Sequence, residues 1–189
     1  MKSKFKNNEK GFALPLALLL LVVMTIMGTT LVSITSKDHK ANTNKDMSQQ
    51  AFYAAESGIN QAKKYLVDTK TLTPQNSPNS KSRFCKTSFF PNLNQSTVKA
   101  INTYVGKNNL SELISAPGEE GTRLSKYSFE YFITYTPDGN GNTSASRKKS
   151  GTNNIYYTIY SCGCNESKDK CEARSNIIVP LEAVVTLIK

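Results

Sequence analysis

The residues of this chain best suited to covalent chemistry are its four cysteines. They all follow a long uncharged segment near the N-terminus, and they are Cys85, Cys162, Cys164 and Cys171. If the part of the chain after that segment is exported, an even number of cysteines predicts disulfides, here two. A bridge between Cys162 and Cys164 is the least favourable because a one-residue spacer strains it. We expect one of these two to pair with Cys171 and the other with Cys85, and the spacing leaves open which.

Other candidates for metal binding or catalysis are poorly supported. A zinc site of four thiolates normally uses two C-x-x-C pairs, which this spacing does not provide. Asp138 opens a stretch similar to a calcium loop, but Thr143 and Lys149 stand where that loop needs glycine and glutamate. The single histidine, His39, has no second histidine with which to form a zinc site or a triad. We therefore expect no catalytic residue, no metal and no cofactor.

The balance of charge is basic. Lysine and arginine number 24 against 14 acids, which gives a formal net charge of +10. A basic excess attracts nucleic acid and anionic surfaces. The densest local patch is Arg147, Lys148 and Lys149, within a polar stretch that reads as a loop. We interpret this patch as a solvated basic loop and keep DNA binding as the alternative.

The element that must position the rest of the chain is the N-terminal apolar segment. Twenty-five consecutive positions from Phe12 carry no charge. About 20 apolar residues are enough to cross a bilayer as a helix. Four lysines precede the segment and would hold the N-terminus on the cytoplasmic side; they are Lys2, Lys4, Lys6 and Lys10. The apolar core is too long for a cleaved secretory signal, whereas a simple signal anchor remains open.

A helical pattern continues past the apolar segment. Apolar residues recur at alternating steps of 3 and 4 at Phe52, Ala55, Ile59, Ala62 and Leu66. No proline occurs between positions 16 and 73. One helix over 12–66 would be about 80 Å long at 1.5 Å per residue. Its second half would lay one stripe against a globular head, and two separate helices, broken near Gly28 or within 38–46, remain the alternative.

The head, residues 67–189, is polar and contains three strand-like runs. These runs are Tyr127–Tyr135, Ile155–Tyr160 and Ile177–Ile188, all rich in β-branched and aromatic residues. Because they follow one another with loops between them, they predict an antiparallel meander packed on the helix. Residues 83–125 are expected to hold a short helix around Ser96–Val105. The fold class is therefore α+β.

Two motifs in the helical segment resemble type IV pilins. Gly11-Phe12, at the start of the apolar run, looks like the site cleaved by prepilin peptidases. About forty residues later, QAFYAAESGI resembles the A-x-x-A-A-E-x-G signature of PilX-type minor pilins. The residues that match this signature are Ala51, Ala54, Ala55, Glu56 and Gly58. The resemblance covers about 55 residues and does not extend into the head.

This resemblance implies a pilin-like architecture and life cycle. Residues 1–11 would be a leader removed by prepilin peptidase, which would also N-methylate Phe12. Residues 12–66 would form a transmembrane and assembly helix, and residues 67–189 a periplasmic or extracellular head. The implied partners are major and minor pilin subunits, the inner-membrane assembly platform and membrane lipid. The chain would start in the bacterial inner membrane, end in a pilus at the cell surface and have no enzymatic activity.

One position departs from the pilin pattern. Major pilins resembling this chain carry a glutamate five residues into the mature protein, where this sequence has Leu16. The resemblance then favours a low-copy priming or tip subunit of a type IV pilus. Pseudopilins of the GspK kind also lack the acid, so a minor pseudopilin of type II secretion is the alternative. A membrane-anchored adhesin or DNA-binding protein with an uncut anchor is the alternative from another class.

Overall fold

The first helix spans more than a quarter of the chain. The structure is a computed structural model that describes residues 13–69, 73–74, 76–105, 109–111, 115, 117–148, 154–172 and 177–187. The chain divides into two units, Met1–Lys45 and Asp46–Lys189. Helix α1, Ala13–Asp68, is a single element with no break near Gly28. The prediction of one uninterrupted helix is confirmed, as expected where no proline removes a hydrogen bond.

Five antiparallel strands form one sheet in the second unit. They are β1 (Asn102–Tyr104), β2 (Ser128–Tyr135), β3 (Arg147–Lys148), β4 (Ile155–Cys164) and β5 (Ile178–Leu187). The four longer strands lie in the order β1-β2-β4-β5, and β3 pairs with β4 beyond the end of β2. The α+β class and the antiparallel arrangement of β2, β4 and β5 are confirmed.

Short helices complete the head. They are α2 (Gly118–Leu124), α3 (Lys168–Cys171) and the 3₁₀ turns Pro78–Ser80 and Thr87–Phe89. Because α3 directly follows β4, it places the last cysteine close to the end of that strand. The chain that leads into β1 is mostly loop, and part of it covers one face of the sheet.

One face of the sheet packs on the second half of α1. Alternate β2 residues, Phe129, Tyr131 and Ile133, lie in one buried cluster with Ile59 and Leu66 of the helix. Successive side chains of a strand point to opposite faces, so this set follows directly from the period of two seen in the sequence. The expected packing of a helix on a meander is confirmed in this cluster.

The opposite face of the sheet is covered by the loops before β1. Phe132 and Tyr160, which pair across β2 and β4, pack with Phe84 and Phe90. The Phe90 and Tyr160 rings are 4.7 Å apart, and the Phe132 and Tyr160 rings 5.0 Å apart. Since both faces of β2 are covered, seven of its eight residues are buried.

The segment before β2 differs from the prediction. The short helix expected around Ser96–Val105 is wrong, because residues 102–104 form β1 and Ala100 makes an isolated bridge with Asn76. Thr103 pairs with Phe132 across the ladder. β-Branched and aromatic residues suit a half-buried pleated surface, so pairing with β2 outweighs the local helical pattern.

Candidate functional site

The first half of α1 presents an apolar surface that the described residues leave uncovered. Every large apolar side chain between Leu14 and Ile34 is at least 42% exposed. The mean hydropathy of its most apolar 18-residue window is 2.4, so α1 is long and apolar enough to cross a membrane. Leu16 is 55% exposed on this surface.

The threonine hydroxyl groups of this part of α1 are satisfied within the helix. Thr25 donates to the Val22 carbonyl oxygen at 2.8 Å, and Thr29 donates to that of Ile26 at 2.9 Å. Thr30 and Thr35 also donate to backbone oxygens one turn earlier. Each polar group left without a hydrogen bond in hydrocarbon costs roughly several kcal/mol of free energy. These bonds make the threonines compatible with lipid or with an apolar helix bundle.

The small residues of the A-x-x-A-A-E-x-G signature face the head's own sheet. Ala51, Ala54, Ala55 and Gly58 are all buried. The small side chains let the helix backbone approach β4 closely, as small residues do elsewhere between packed helices. In this structure these residues therefore pack against the head's own sheet.

Two residues of β4 complete this close approach. The Ser161 hydroxyl donates to the Ala55 carbonyl oxygen at 2.8 Å. A Cβ atom at Gly163 would overlap the Ala51 carbonyl oxygen and the Ala55 nitrogen, and one at Gly58 would overlap the Ser161 hydroxyl. The two backbones therefore meet at a spacing that only glycine at position 163 allows.

The outward positions of the signature carry larger side chains. Phe52 is 43% exposed and Tyr53 61% exposed, and their rings make an edge contact at 5.9 Å. Glu56 is exposed on the same side of the helix. The predicted head-facing stripe is therefore wrong at Phe52, because Ala51 occupies the position nearest β4, and it holds for Ala55, Ile59, Ala62 and Leu66.

Several predicted site residues fall where the structure gives little or no description. Gly11 and Phe12, the expected cleavage and methylation positions, lie outside the described residues. In the basic patch, Arg147 and Lys148 form β3 beside β4, and Lys149 lies outside the described residues. Cleavage, methylation and nucleic-acid binding therefore stay predictions.

The stretch that opens like a calcium loop is a closed turn. One carboxylate oxygen of Asp138, Oδ1, accepts hydrogen bonds from the backbone N–H groups of Asn140 and Asn142, both at 2.9 Å. Gly141 has a φ of 80° and packs against Asn94, whose N–H donates to the Gly141 carbonyl oxygen at 3.0 Å. The aspartate thus serves to hold the turn, as Asp commonly does.

The four cysteines form two disulfides. Cys85 is joined to Cys162 with Cα atoms 5.4 Å apart, and Cys164 to Cys171 with Cα atoms 6.1 Å apart. This is one of the two arrangements that the sequence left open. The first bridge ties the covering loop to β4, and the second ties α3 to the end of the same strand.

A buried carboxylate lies beside the first disulfide. Glu130 of β2 is fully buried and is the direct cross-strand partner of Cys162. Its Oε2 accepts hydrogen bonds from the N–H groups of Arg83, Phe84 and Cys85 at 3.0, 3.0 and 3.1 Å. Burial raises the pKa of Glu130, and these three donors, together with the charge of Lys168, oppose that rise.

Sequence reasoning missed Glu130, Ser161 and Gly163. A single acid among the aromatic residues of β2 is a signal, since a charged side chain is almost never fully buried without partners. A glycine within a strand also signals a close backbone approach, here between two cysteines. Both signals are present in the sequence, but neither identifies the partner that the side chain or backbone meets.

A long N-terminal helix, apolar and then packed through small residues on an antiparallel sheet, defines a type IV pilin-like class of protein. The family model of the PilX N-terminal region matches residues 10–60. This match runs from the predicted cleavage site through the signature. The N-terminal segment of the chain is therefore that of a type IV pilin-like protein of the PilX type. No curated protein and no solved structure matches the chain.

Proposed function

We propose that this protein is a minor pilin, a low-copy structural subunit that primes or caps a type IV pilus. The observation that carries the proposal is the match to the PilX N-terminal region over residues 10–60. The uncovered apolar surface between Leu14 and Ile34 supports it, since such a surface must be covered by lipid or by other helices.

Assembly would move α1 between two apolar surroundings. The protein first stands in the inner membrane with its N-terminus cytoplasmic and its head outside. Prepilin peptidase then removes residues 1–11, and the assembly platform passes the helix from lipid into a bundle of major and minor pilins. Because the threonine hydroxyls bond within the helix, they remain satisfied during this transfer. The chain performs no reaction of its own.

Leu16 supports a position outside the repeating shaft. An unpaired acid at this place in hydrocarbon costs about 2.5–3.5 kcal/mol of insertion free energy. In related pilins that acid would pair with the amine of a neighbouring subunit. Leu16 avoids the penalty and offers no such partner. A subunit of this kind fits a filament end, where one of the two neighbours is absent.

The outward side chains of the signature are the proposed contacts with other subunits. Phe52, Tyr53 and Glu56 are exposed and point away from the head's own sheet. Ala51 and Ala55 are buried against that sheet and are not available to another subunit. We therefore assign the assembly role to the apolar surface between Leu14 and Ile34, which includes Leu16, and to these three outward residues. The small residues would act indirectly by fixing the helix on the head.

The experiment that tests this function is mass spectrometry of the N-terminus of membrane-extracted protein. A chain that begins at N-methyl-Phe12 supports prepilin processing. An intact Met1, in a cell whose prepilin peptidase is active, contradicts it and favours an adhesin or DNA-binding head on an uncut anchor. Gly11→Val is the matched variant, and it should keep the leader if the cut follows Gly11.

A minor pseudopilin of type II secretion is the second candidate, and Leu16 is the observation that favours it. The two functions are separated by deleting the protein and measuring surface pili and exoprotein secretion in the same cells. Loss of pili with normal secretion supports the minor pilin. Quantitative composition of purified filaments then tests the copy number, because a bulk component would contradict a priming or tip role.

A further inference from the structure

The structure contains only one of the two cysteine pairings that the sequence allows. Cys162 and Cys164 lie two residues apart on the same face of β4, so either could receive Cys85. Cys171 is separated from Cys164 by 7 residues, and from Cys162 by two more. Loop-closure entropy follows the logarithm of loop length, so the probability of closing the shorter loop is only about 1.5 times that of the longer one.

Chain entropy discriminates even less for Cys85. Its separation from Cys162 is 77 residues, and two more residues change the closure probability by only about a few per cent. Burial does not distinguish the two candidates either, because both are fully buried on the same strand. A contact in the folded head must therefore distinguish the two cysteines.

Glu130 makes that contact. It lies directly opposite Cys162 in the register of β2 and β4, whereas Ser128 lies opposite Cys164. The carboxylate binds the N–H groups of three consecutive residues, ending with that of Cys85 itself at 3.1 Å. Successive N–H groups that converge on an anion form a strong and directional site. The segment that carries Cys85 is thereby held over Cys162.

We propose that Glu130 is a positioning residue for oxidative folding, whose buried carboxylate directs Cys85 to Cys162 and so leaves Cys164 for Cys171. The oxidant is an external disulfide. The two thiols of each pair lose two protons and two electrons as their S–S bond forms, and the bond of the oxidant is reduced to two thiols. Glu130 takes no part in this electron transfer and acts only by placing the Cys85 backbone.

The other charged groups near the segment that carries Cys85 do not direct it to Cys162. Arg83 forms an ion pair with Asp169 of α3 at 2.9 Å, which would draw the segment toward Cys171. That pair is exposed, and exposed pairs are weak because water and salt screen them. Lys168 also acts electrostatically on Glu130. The carboxylate is the fully buried group among these, so its hydrogen bonds are the least screened.

Disulfide mapping of the full chain tests this proposal. Wild type, Glu130→Gln and Glu182→Gln are extracted from membranes in detergent, alkylated, digested without reduction and analysed by mass spectrometry. Glutamine offers one acceptor oxygen and brings two N–H donors toward the backbone N–H groups. We expect the share of Cys85–Cys164 and Cys162–Cys171 to rise at least about tenfold in Glu130→Gln, from the loss of several charge-assisted bonds. Glu182→Gln, an exposed change on β5, should keep the native pairing.

A second control separates positioning from general loss of stability. Ile133→Ala removes a buried side chain from the opposite face of β2 and leaves the carboxylate in place. It should destabilise the head and still form the native bridges. Native pairing in Glu130→Gln, or equal mispairing in Ile133→Ala, would overturn the proposal.

A variant with three cysteines tests the role of Glu130 even if Glu130→Gln folds poorly. Cys171→Ser removes the partner of Cys164 and offers Cys85 both cysteines of β4. The protein is equilibrated in detergent with a glutathione redox buffer, and the ratio of Cys85–Cys162 to Cys85–Cys164 is read by mapping. The ratio should fall about tenfold when Glu130→Gln is added. An unchanged ratio contradicts the role of Glu130, because covalent bonds report pairing whether or not the head is native.

Discussion

At the residue scale, the contact between helix and sheet depends on the absence of a side chain at Gly163. A Cβ there would overlap the backbone of Ala51 and Ala55. Gly163→Ala should therefore destabilise the head by about 1–3 kcal/mol or more, because two backbones must separate. Urea unfolding of the detergent-solubilised chain, followed by near-UV circular dichroism of the tyrosines, measures this change.

Gly139→Ala is the matched control for this prediction. Nothing lies within 4 Å of a Cβ at Gly139. An exposed substitution of this kind is expected to change stability by no more than about 0.5 kcal/mol. Equal effects at positions 139 and 163 would contradict the close approach of α1 to β4.

Glu130 gives the head a specific pH dependence. Its folded-state pKa is raised above the ordinary value of 4.5, chiefly by burial. The folded head then binds a proton at Glu130 more readily than the unfolded chain does. The stability that this protonation contributes is fully present below pH 4.5, the ordinary pKa, and is lost as pH rises through the folded-state pKa. The stability advantage of wild type over Glu130→Gln should therefore shrink as pH rises.

Unfolding in urea across a pH series, with both proteins, measures that difference. The comparison removes the titration of all groups that the two proteins share. An advantage that grows with pH would contradict the prediction, since it would mean that the three backbone donors outweigh burial and lower the pKa.

At the element scale, the two disulfides constrain the chain to different extents. Cys85–Cys162 closes a loop of sequence separation 77, and Cys164–Cys171 one of 7. In the chain-entropy account the long loop contributes about 4.5 kcal/mol and the short loop about 2.5 kcal/mol. Replacing both cysteines of the long bridge by alanine should therefore cost about 2 kcal/mol more than the same change in the short bridge.

Urea unfolding under non-reducing conditions compares the two double variants. Each removes a buried pair of sulfur atoms, so each is a control for the packing change in the other. A larger loss from Cys164→Ala with Cys171→Ala would contradict the prediction. The covering loop would then be held mainly by Glu130 and by its aromatic side chains.

The same scale shows where sequence patterns sufficed. The apolar run and the absence of proline indicated α1, and β-branched and aromatic runs indicated β2, β4 and β5. These signals are local, so a single sequence carries them. The expected helix around Ser96–Val105 failed because β1 exists only through its pairing with β2, which the sequence of that segment does not encode.

At the scale of the whole molecule, the proposed topology leads to a direct prediction. If the N-terminus is cytoplasmic and the head lies outside, alkaline phosphatase fused after residue 189 should be active, because that enzyme needs an oxidising compartment. A fluorescent protein that matures only in the cytoplasm should stay dark at the same place. Phosphatase activity in colonies or lysates measures the orientation.

Reversing the charge of the leader is the matched control. Replacing the four lysines before Gly11 by glutamate removes the positive-inside signal. Phosphatase activity should then fall. An active cytoplasmic reporter on the wild-type chain would contradict the topology, and with it the route to a pilus.

The sequence by itself determined the long helix, its apolar first half, the match to the PilX N-terminal region, and the presence of two disulfides. Each depends on residue type and spacing along a short stretch, which chain chemistry fixes before folding. The tertiary structure alone decided that Ala51 and Gly58 meet the head's own sheet, and that Glu130 stands opposite Cys162. The choice of Cys162 over Cys164 as partner of Cys85 belongs to this second group. Chain entropy favours Cys162 over Cys164 by almost nothing, so this choice of partner depends on the register of β2 and β4.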